Sequence, residues 1–388
     1  MITGQEIEVA TPILKMLAPQ AIKGVASALT WGRDKVLIHF TDTFRDHLEA
    51  TKRKCSAVRT INFPDHLTKI NDIYVNLYVT SDGNTVRDED ILEILRETGL
   101  ILIKGTAGAG KTMLMRSLAL RALTDEIPQV PLFIDLRDMA NPSDLPILDS
   151  IFDLVTPENQ RGNREVFDEA LKSGGFCLFL DGVDEVPPQH RIAFREQVER
   201  LTVRFPKLQI ILSSRPDVDF SGWEGFYTMA IEPLTKDQTI LLIEKVPFQD
   251  EEAKEEFLKK LKEGDFDDRT SFLQIPLLAV LLLMCYGEHL QLGETTTAFY
   301  DQAFEVLYRR HDRTKGLRRK HFCDLPADRF RAIFAAFCYK SLADHKVSFT
   351  EDEVVRYVSK ASEIQGIEID HTDFHLDMIE SVSMLQRD

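Results

Sequence analysis

Short apolar runs alternate with amphipathic stretches through the middle of this 388-residue chain. Leu100–Ile103, Pro131–Leu136, Phe176–Leu180, Leu208–Leu212 and Phe226–Ile231 read as strands bounded by turn-forming residues. Stretches of helical period, such as Met113–Leu123 and Ile192–Phe205, separate most of them. Over residues 86–233 this alternation predicts an α/β fold, a parallel sheet with helices on both faces. Residues 1–85 read as a mainly helical N-terminal region, with Leu37, Phe40, Phe44 and Leu48 on one helical face. Within that region Ile73–Val79 reads as a strand and Ser81-Asp82-Gly83-Asn84 as the turn after it. Residues 234–316 read as all-helical. Residues 317–388 read as helical with one short strand at Lys346–Phe349, and Thr350 with Glu353 has the spacing of a capping box opening the next helix.

The chemistry concentrates where the apolar runs end. After Leu100–Ile103 comes Gly105-Thr106-Ala107-Gly108-Ala109-Gly110-Lys111-Thr112, a first glycine, four free positions and then Gly-Lys-Thr. Placed between a strand and a helix, such glycines let consecutive backbone N–H groups turn inward around a phosphate, and the helix N-terminus adds positive partial charge. The nucleotide contacts expected from this stretch are Gly105 to Thr112 and Met113. Lys111 is expected to reach the β- and γ-phosphates and Thr112 to hold Mg²⁺.

Phe176–Leu180 runs into Asp181-Gly182-Val183-Asp184-Glu185. A carboxylate at the tip of a buried strand is costly unless something pairs it. Nucleotide-bound Mg²⁺ is a suitable partner, which makes Asp181 the expected metal acid. Asp184 and Glu185, a few positions on, are candidates to orient or deprotonate the attacking water. Leu208–Leu212 runs into Ser213-Ser214-Arg215-Pro216, where Arg215 can sense a γ-phosphate and stabilise transferred charge. Pro276, in Gln274-Ile275-Pro276-Leu277-Leu278, starts or breaks a helix.

Composition narrows the class. Hydrophobic content of 44% and charged content of 28% are ordinary for a soluble globular protein. A net charge of −16 argues against broad binding to nucleic acid or an anionic membrane. The cluster Arg309, Arg310, Arg313, Lys315, Arg318, Arg319 and Lys320 is the one feature pointing toward a phosphate-bearing or acidic partner, and a solvated helix end explains it as well. The five cysteines are scattered with no zinc-type spacing, so they read as reduced thiols of a cytoplasmic protein. Acidic Glu6 and Glu8 precede any apolar run, which argues against a signal peptide, and Pro276–Tyr286 is too short to span a bilayer. The histidines form no hydrolase triad or HExxH pattern.

Taken together, GTAGAGKT at 105–112, LDGVDE at 180–185, SSRP at 213–216 and QIPLL at 274–278 resemble the NACHT module of STAND-class NTPases, the group of animal NLR immune receptors and their bacterial relatives. Gly182, a small residue directly after the Mg²⁺ acid with more acids downstream, is the most distinctive point of likeness. IYVNLYV at 73–79 and the Leu307-Tyr308 helix are also similar to bacterial NACHT proteins. The resemblance implies an N-terminal region at 1–85, a P-loop NACHT nucleotide-binding domain at 86–233, a helical domain at 234–316 and an incomplete winged-helix-like domain at 317–388. It implies that Pro276 packs against the nucleotide base. The family usually continues with a segment carrying a histidine that touches the β-phosphate of ADP. This chain stops at Gln386-Arg387-Asp388, before any such segment, as either a C-terminally truncated or a naturally short member would.

The functional expectation is an ATP- and ADP-binding, Mg²⁺-dependent switch with slow NTP hydrolysis. By resemblance, an unidentified trigger and ATP favour an open self-oligomer in innate immunity, which in bacteria means defence against phage. Two other readings stay open: a turnover AAA-like ATPase with a remodelling role, and a nucleotide-stabilised scaffold without hydrolysis. ATP over GTP is a family expectation only.

Overall fold

The computed structural model describes residues 47–124, 129–136, 147–155, 164–186, 190–216, 225–265, 270–289, 296–313, 325–346 and 349–378, with the single positions 218, 220, 223, 322 and 323. The chain packs as two compact units, Met1–Val280 and Leu281–Asp388.

The described part of the first unit opens with helix α1 (residues 47–56), the antiparallel pair β1 (Ala57–Thr60) and β2 (Phe63–Lys69), and a single helical turn, α2 (Ile70–Ile73). Leu48 is buried as its periodicity predicts, whereas Leu37, Phe40 and Phe44 lie outside the described residues. The expectation of a mainly helical region therefore needs correction over 57–87, where strands predominate. β3 (Tyr78–Ser81) and β4 (Asn84–Arg87) form a hairpin, and Asp82 and Gly83 at its tip both have positive φ, 50° and 81°. Such a two-residue turn matches the twist of the flanking strands.

The strand expected over Ile73–Val79 begins only at Tyr78. Ile73 instead closes α2, and residues 74–77 lie outside any strand, their backbone groups taken largely by side chains, with Asp88 N–H donating to Leu77 O (3.0 Å). Lys245 Nζ donates to Tyr74 O (2.7 Å), Gln238 Nε2 to Asn76 O (2.7 Å), and Leu77 N–H donates to Asp88 Oδ2 (3.0 Å). The Tyr74 hydroxyl also donates to Asp88. Burial pushes the Asp88 carboxyl above its ordinary range, against the pull of those two hydrogen bonds.

After α3 (Ile91–Thr98) come β5 (Leu100–Lys104), α4 (Lys111–Thr124), β6 (Val130–Asp135), α5 (Ile147–Val155), α6 (Arg164–Ser173), β7 (Phe176–Asp181), α7 (Arg191–Arg204), β8 (Gln209–Ser214) and β9 (Tyr227–Ile231). The seven-stranded sheet runs β4-β3-β9-β5-β8-β7-β6. Five strands, β9 to β6, are mutually parallel, and the β3–β4 hairpin joins antiparallel beside β9. The sheet is thus mixed, where the strand pattern predicted a parallel one, because the N-terminal hairpin supplies the outer strands.

Every residue of β6, β7 and β8 is buried, which is why these strands read as continuous apolar runs without a period of two. Alternate residues still feed opposite faces. Leu102, Leu178, Leu180, Ile210 and Leu212 pack with α5, α6 and α7 side chains such as Ile151, Phe167 and Phe194. Ile101, Ile103, Phe179 and Ile211 pack with Leu95 of α3 and Leu114, Met115 and Leu118 of α4.

The unit continues with α8 (Lys236–Lys245), α9 (Glu251–Lys260), the short α10 (Thr270–Leu273) and the start of α11 (Pro276–His289). The second unit holds α12 (Thr296–Arg313), α13 (Ala327–Ala343), α14 (Glu351–Gln365) and α15 (His371–Leu376) around Phe330, Ile333, Phe337, Val358 and Phe374. The Thr350–Glu353 capping box forms as its spacing predicts. Of the strand expected at Lys346–Phe349, positions 347 and 348 lie outside the described residues, and Lys346 and Phe349 are not in a strand. In the basic cluster, the side chains of Arg309, Arg310 and Arg313 and all of 314–320 lie outside them too.

A second capping box, Thr235 with Gln238, starts α8. Gln238 and Lys245 of this helix are the side chains that hold the 74–77 segment. Thr235→Ala is expected to lower stability by about 1 kcal/mol, seen as a lower urea midpoint with an unchanged slope.

Candidate functional site

In the parallel block β5 lies between β9 and β8, and β7 follows β8. Their carboxyl ends therefore deliver three loops to one side of the sheet, where ligands of open α/β sheets bind. The loop after β5 runs from Gly105, whose N–H donates to Ser214 O (3.1 Å), to α4, which begins at Lys111. Gly108 and Gly110 have φ of 74° and 95°, the left-handed region that glycine enters without strain. A Cβ on Gly108 would meet Leu277 Cβ at 2.8 Å. The loop is therefore closely backed by the Gln274–Leu278 segment, and Leu277 N–H donates to Gly108 O (3.3 Å). A Cβ on Gly110 would lie 4.0 Å from Pro276 Cγ and 3.6 Å from Leu77 Cδ1. Pro276 and Leu77 thus border the glycine loop; Pro276 is the first residue of α11, the helical position proline suits best. The Met113 side chain packs with Val58, Ile70 and Ile73.

Lys111 Nζ donates to Gly105 O (2.8 Å) and Thr106 O (3.2 Å), so the ammonium lies over its own loop. Burial holds it below the ordinary lysine value; Asp184, Asp181 and Glu185 oppose that shift and Arg215 adds to it. Lys111, the three acids and Arg215 therefore share one electrostatic neighbourhood.

Asp181 is 3% exposed at the tip of β7. Burial pushes its carboxyl above the ordinary carboxylate range, and hydrogen bonds from the Ser213 and Thr112 hydroxyls oppose this. Ser213 Oγ also accepts from Gly182 N–H (2.9 Å), so one hydroxyl ties the ends of β7 and β8 together. Gly182 has φ 88°, and a Cβ there would lie 2.4 Å from Glu185 Oε2. The positive φ favours glycine here, and a Cβ would push aside the Glu185 carboxylate folded over it. Asp184 accepts from Arg215 twice, from the backbone N–H at 3.1 Å and from Nε at 2.8 Å.

Two contributors escaped the sequence reading. Ser213 was visible only as part of a motif. Asp135, 5% exposed at the tip of β6, pairs in register with Asp181. The signal that marked Asp181, a carboxylate ending an apolar run, marks Asp135 equally.

A hydroxyl and a carboxylate presented together are the hard oxygen donors that Mg²⁺ takes from a protein, nucleotide phosphates and water completing its shell. Among the described residues no group of three or more His, Cys, Asp or Glu side chains could hold a metal. Thr112 and Asp181 fit an ion that arrives with a nucleotide. All five cysteines are free, and burial pushes the Cys55 and Cys285 thiols up to about 12. None of the described helices is long and apolar enough to cross a membrane.

A glycine loop between strand and helix, its lysine, and a buried acid at the tip of β7, one strand removed across β8, define a P-loop nucleoside triphosphatase. Residues 99–250 match the NACHT domain family. That stretch, from β5 through β9 and α8, is similar to the NACHT domain, and the site it carries is that of a nucleotide-binding P-loop enzyme that hydrolyses NTP. An uncharacterized AAA domain-containing protein of Schizosaccharomyces pombe is 28% identical over 208 residues, 47% of this chain; the chain spans 23% of that relative's length. Among solved structures, Cdc6p from Pyrobaculum aerophilum is similar at 15% identity and a TM-score of 0.34, over 76% of this chain and 84% of that one. The Aeropyrum pernix Orc1 protein in complex with DNA is similar at 14% identity and a TM-score of 0.35, over 75% and 82%. Both likenesses are remote, and the DNA belongs to the Aeropyrum protein.

Gly182→Ala is expected to retain nucleotide affinity, because the phosphate loop is untouched, and to lose most turnover, because the Glu185 carboxylate must move. The strained φ adds a destabilisation of about 1 kcal/mol or more. Nucleotide titration beside steady-state hydrolysis separates the two effects; a parallel loss of binding would count against this geometry.

Proposed function

We propose that the chain is an ATP- and ADP-binding switch that hydrolyses ATP slowly with Mg²⁺ and signals by assembling with copies of itself. The observation that carries this reading is the Arg215–Asp184 pair beside Lys111. A ligand shifts a two-state equilibrium only through its differential affinity for the two states. A γ-phosphate can compete with Asp184 for Arg215, whereas ADP leaves that pair undisturbed, so the pair supplies a difference between the two nucleotides. It also gives a reason for slow hydrolysis, because the acid nearest the arginine is engaged before the nucleotide arrives.

In this reading Thr112 and Asp181 hold Mg²⁺, which neutralises charge developing on the phosphates. Gly105 to Met113 cradle the phosphates, Glu185 and Asp184 orient the water, and Pro276 packs against the base. The position of Pro276 beside Gly110 supports that last role. The cytoplasmic setting, the winged-helix-like assignment of 317–388, and the role in innate immunity or defence against phage rest on the resemblance of the motifs to STAND proteins. A remodelling ATPase remains the alternative, and it differs in requiring sustained turnover.

Purified protein is expected to release near-stoichiometric ADP on denaturation, identified by chromatography. Protein free of nucleotide that turns ATP over at tens per second would favour the remodelling reading. Lys111→Ala is expected to abolish nucleotide binding in a titration, because the phosphates lose their cation. Glu185→Gln is expected to keep binding and to slow hydrolysis by about 100-fold; normal turnover would pass the role of base to Asp184.

A further inference from the structure

The acidic turn after β7 is a short 3-10 turn, Val183–Glu185. Its own backbone closes hydrogen bonds from Glu185 N–H to Gly182 O (2.9 Å) and from Val186 N–H to Val183 O (3.2 Å). Such turns have poor hydrogen-bond geometry and are seldom stable by themselves. The carbonyls of Asp184 and Val186 are taken by one side chain. Arg191 Nε donates to Val186 O (2.8 Å) and Arg191 Nη2 to Asp184 O (2.6 Å).

We propose that Arg191 is a positioning residue for hydrolysis, clamping the acidic turn so that the Glu185 and Asp184 carboxylates keep their direction toward the nucleotide. The proposal rests on the reading of this turn as the element that orients the attacking water. Arg191 is the first residue of α7, whose Phe194, Val198 and Leu201 are buried in the core beneath the sheet, so the clamp is anchored on a packed helix. Arg215 grips the same residue from the other side, through the Asp184 carboxylate. Asp184 is thereby held at its backbone by Arg191 and at its side chain by Arg215; the Arg191 grip is the one that persists when a γ-phosphate takes Arg215, and Glu185, the next residue, inherits it. Its carboxylate lies folded over Gly182, beside the strand tip that carries Asp181.

The chemistry of the clamp requires arginine. A planar guanidinium presents N–H groups in a rigid fork and reaches two acceptors at once, whereas a lysine ammonium is a point charge on a flexible stem. A clamp of this kind matters to rate more than to binding, because reacting groups tolerate only about 0.5 Å of misplacement.

The test compares Arg191→Ala, Arg191→Lys, Glu185→Gln and the double variant Arg191→Ala/Glu185→Gln in the full chain, measuring single-turnover hydrolysis of Mg-ATP together with nucleotide affinity. Arg191→Ala is expected to slow hydrolysis by about 10- to 100-fold, with affinity within about twofold of the parent. Arg191→Lys is expected to recover little of the rate. The double variant is expected to match Glu185→Gln within about twofold, because the clamp acts through that carboxylate. Parent-like turnover in Arg191→Ala, restoration by lysine, or losses that multiply in the double variant would each overturn the proposal. So would a loss of rate matched by an equal loss of binding, since that is the mark of a general structural role. Should Arg191→Ala fail to fold, Arg191→Lys carries the same comparison. If Glu185→Gln alone leaves turnover unchanged, the reading of Glu185 as base has failed, and the cycle repeated with Asp184→Asn decides the clamp.

Discussion

A carboxylate at the end of a strand buried on both faces is the constraint on which the nucleotide-binding unit depends. No residue of β7 reaches solvent appreciably, and Asp181 ends it. An ionised carboxyl in such a place needs hydrogen bonds and a cation. The Ser213 hydroxyl comes from the neighbouring strand and the Thr112 hydroxyl from the helix of the phosphate loop. Satisfying one side chain therefore fixes β7, β8 and α4 relative to one another. In the proposed function a Mg²⁺ carried in by a nucleotide takes the remaining oxygens.

The site is also closely supported from outside the sheet. The Gln274–Leu278 segment backs the glycine loop through Leu277, and the extended residues 74–77 reach Gly110 through Leu77. Those extended residues are held by α8 on one side and by the buried Asp88 on the other. The phosphate loop is thus bordered by segments far away in the chain, 74–77 tied down by side-chain hydrogen bonds to backbone and Gln274 by a backbone bond from Leu234 N–H.

Opposed charges set the resting state of the chemistry. Asp184 occupies Arg215, and Lys111 lies against carbonyls of its own loop. Both cations are therefore engaged by partners that a phosphate can replace. Such an exchange suits a protein whose states differ by the identity of a bound nucleotide.

Much of this was legible in the sequence, for reasons that are local. Gly105 to Thr112 identify themselves because their spacing is dictated by the shape of a phosphate. Asp181 and Arg215 drew notice because a charged residue at the end of an apolar run needs a reason, and each has a polar partner in the fold. The five parallel strands were found because burial on both faces leaves unbroken apolar runs. What the sequence left undecided was pairing between distant segments. The residues of 73–79 have the composition of a strand, and only the presence of Lys245, Gln238 and Asp88 side chains nearby decides that 74–77 bond to those and not to a ladder. The β3–β4 hairpin was readable from Asp82-Gly83, yet its antiparallel place beside β9 is a matter of which sheet edge was open. Ser213, Asp135 and Arg191 acquire their roles from register and from the direction of a helix. The sequence by itself determined the chemistry carried by each strand end; the tertiary structure alone decided which strand ends meet, because that depends on contacts between residues tens to hundreds of positions apart.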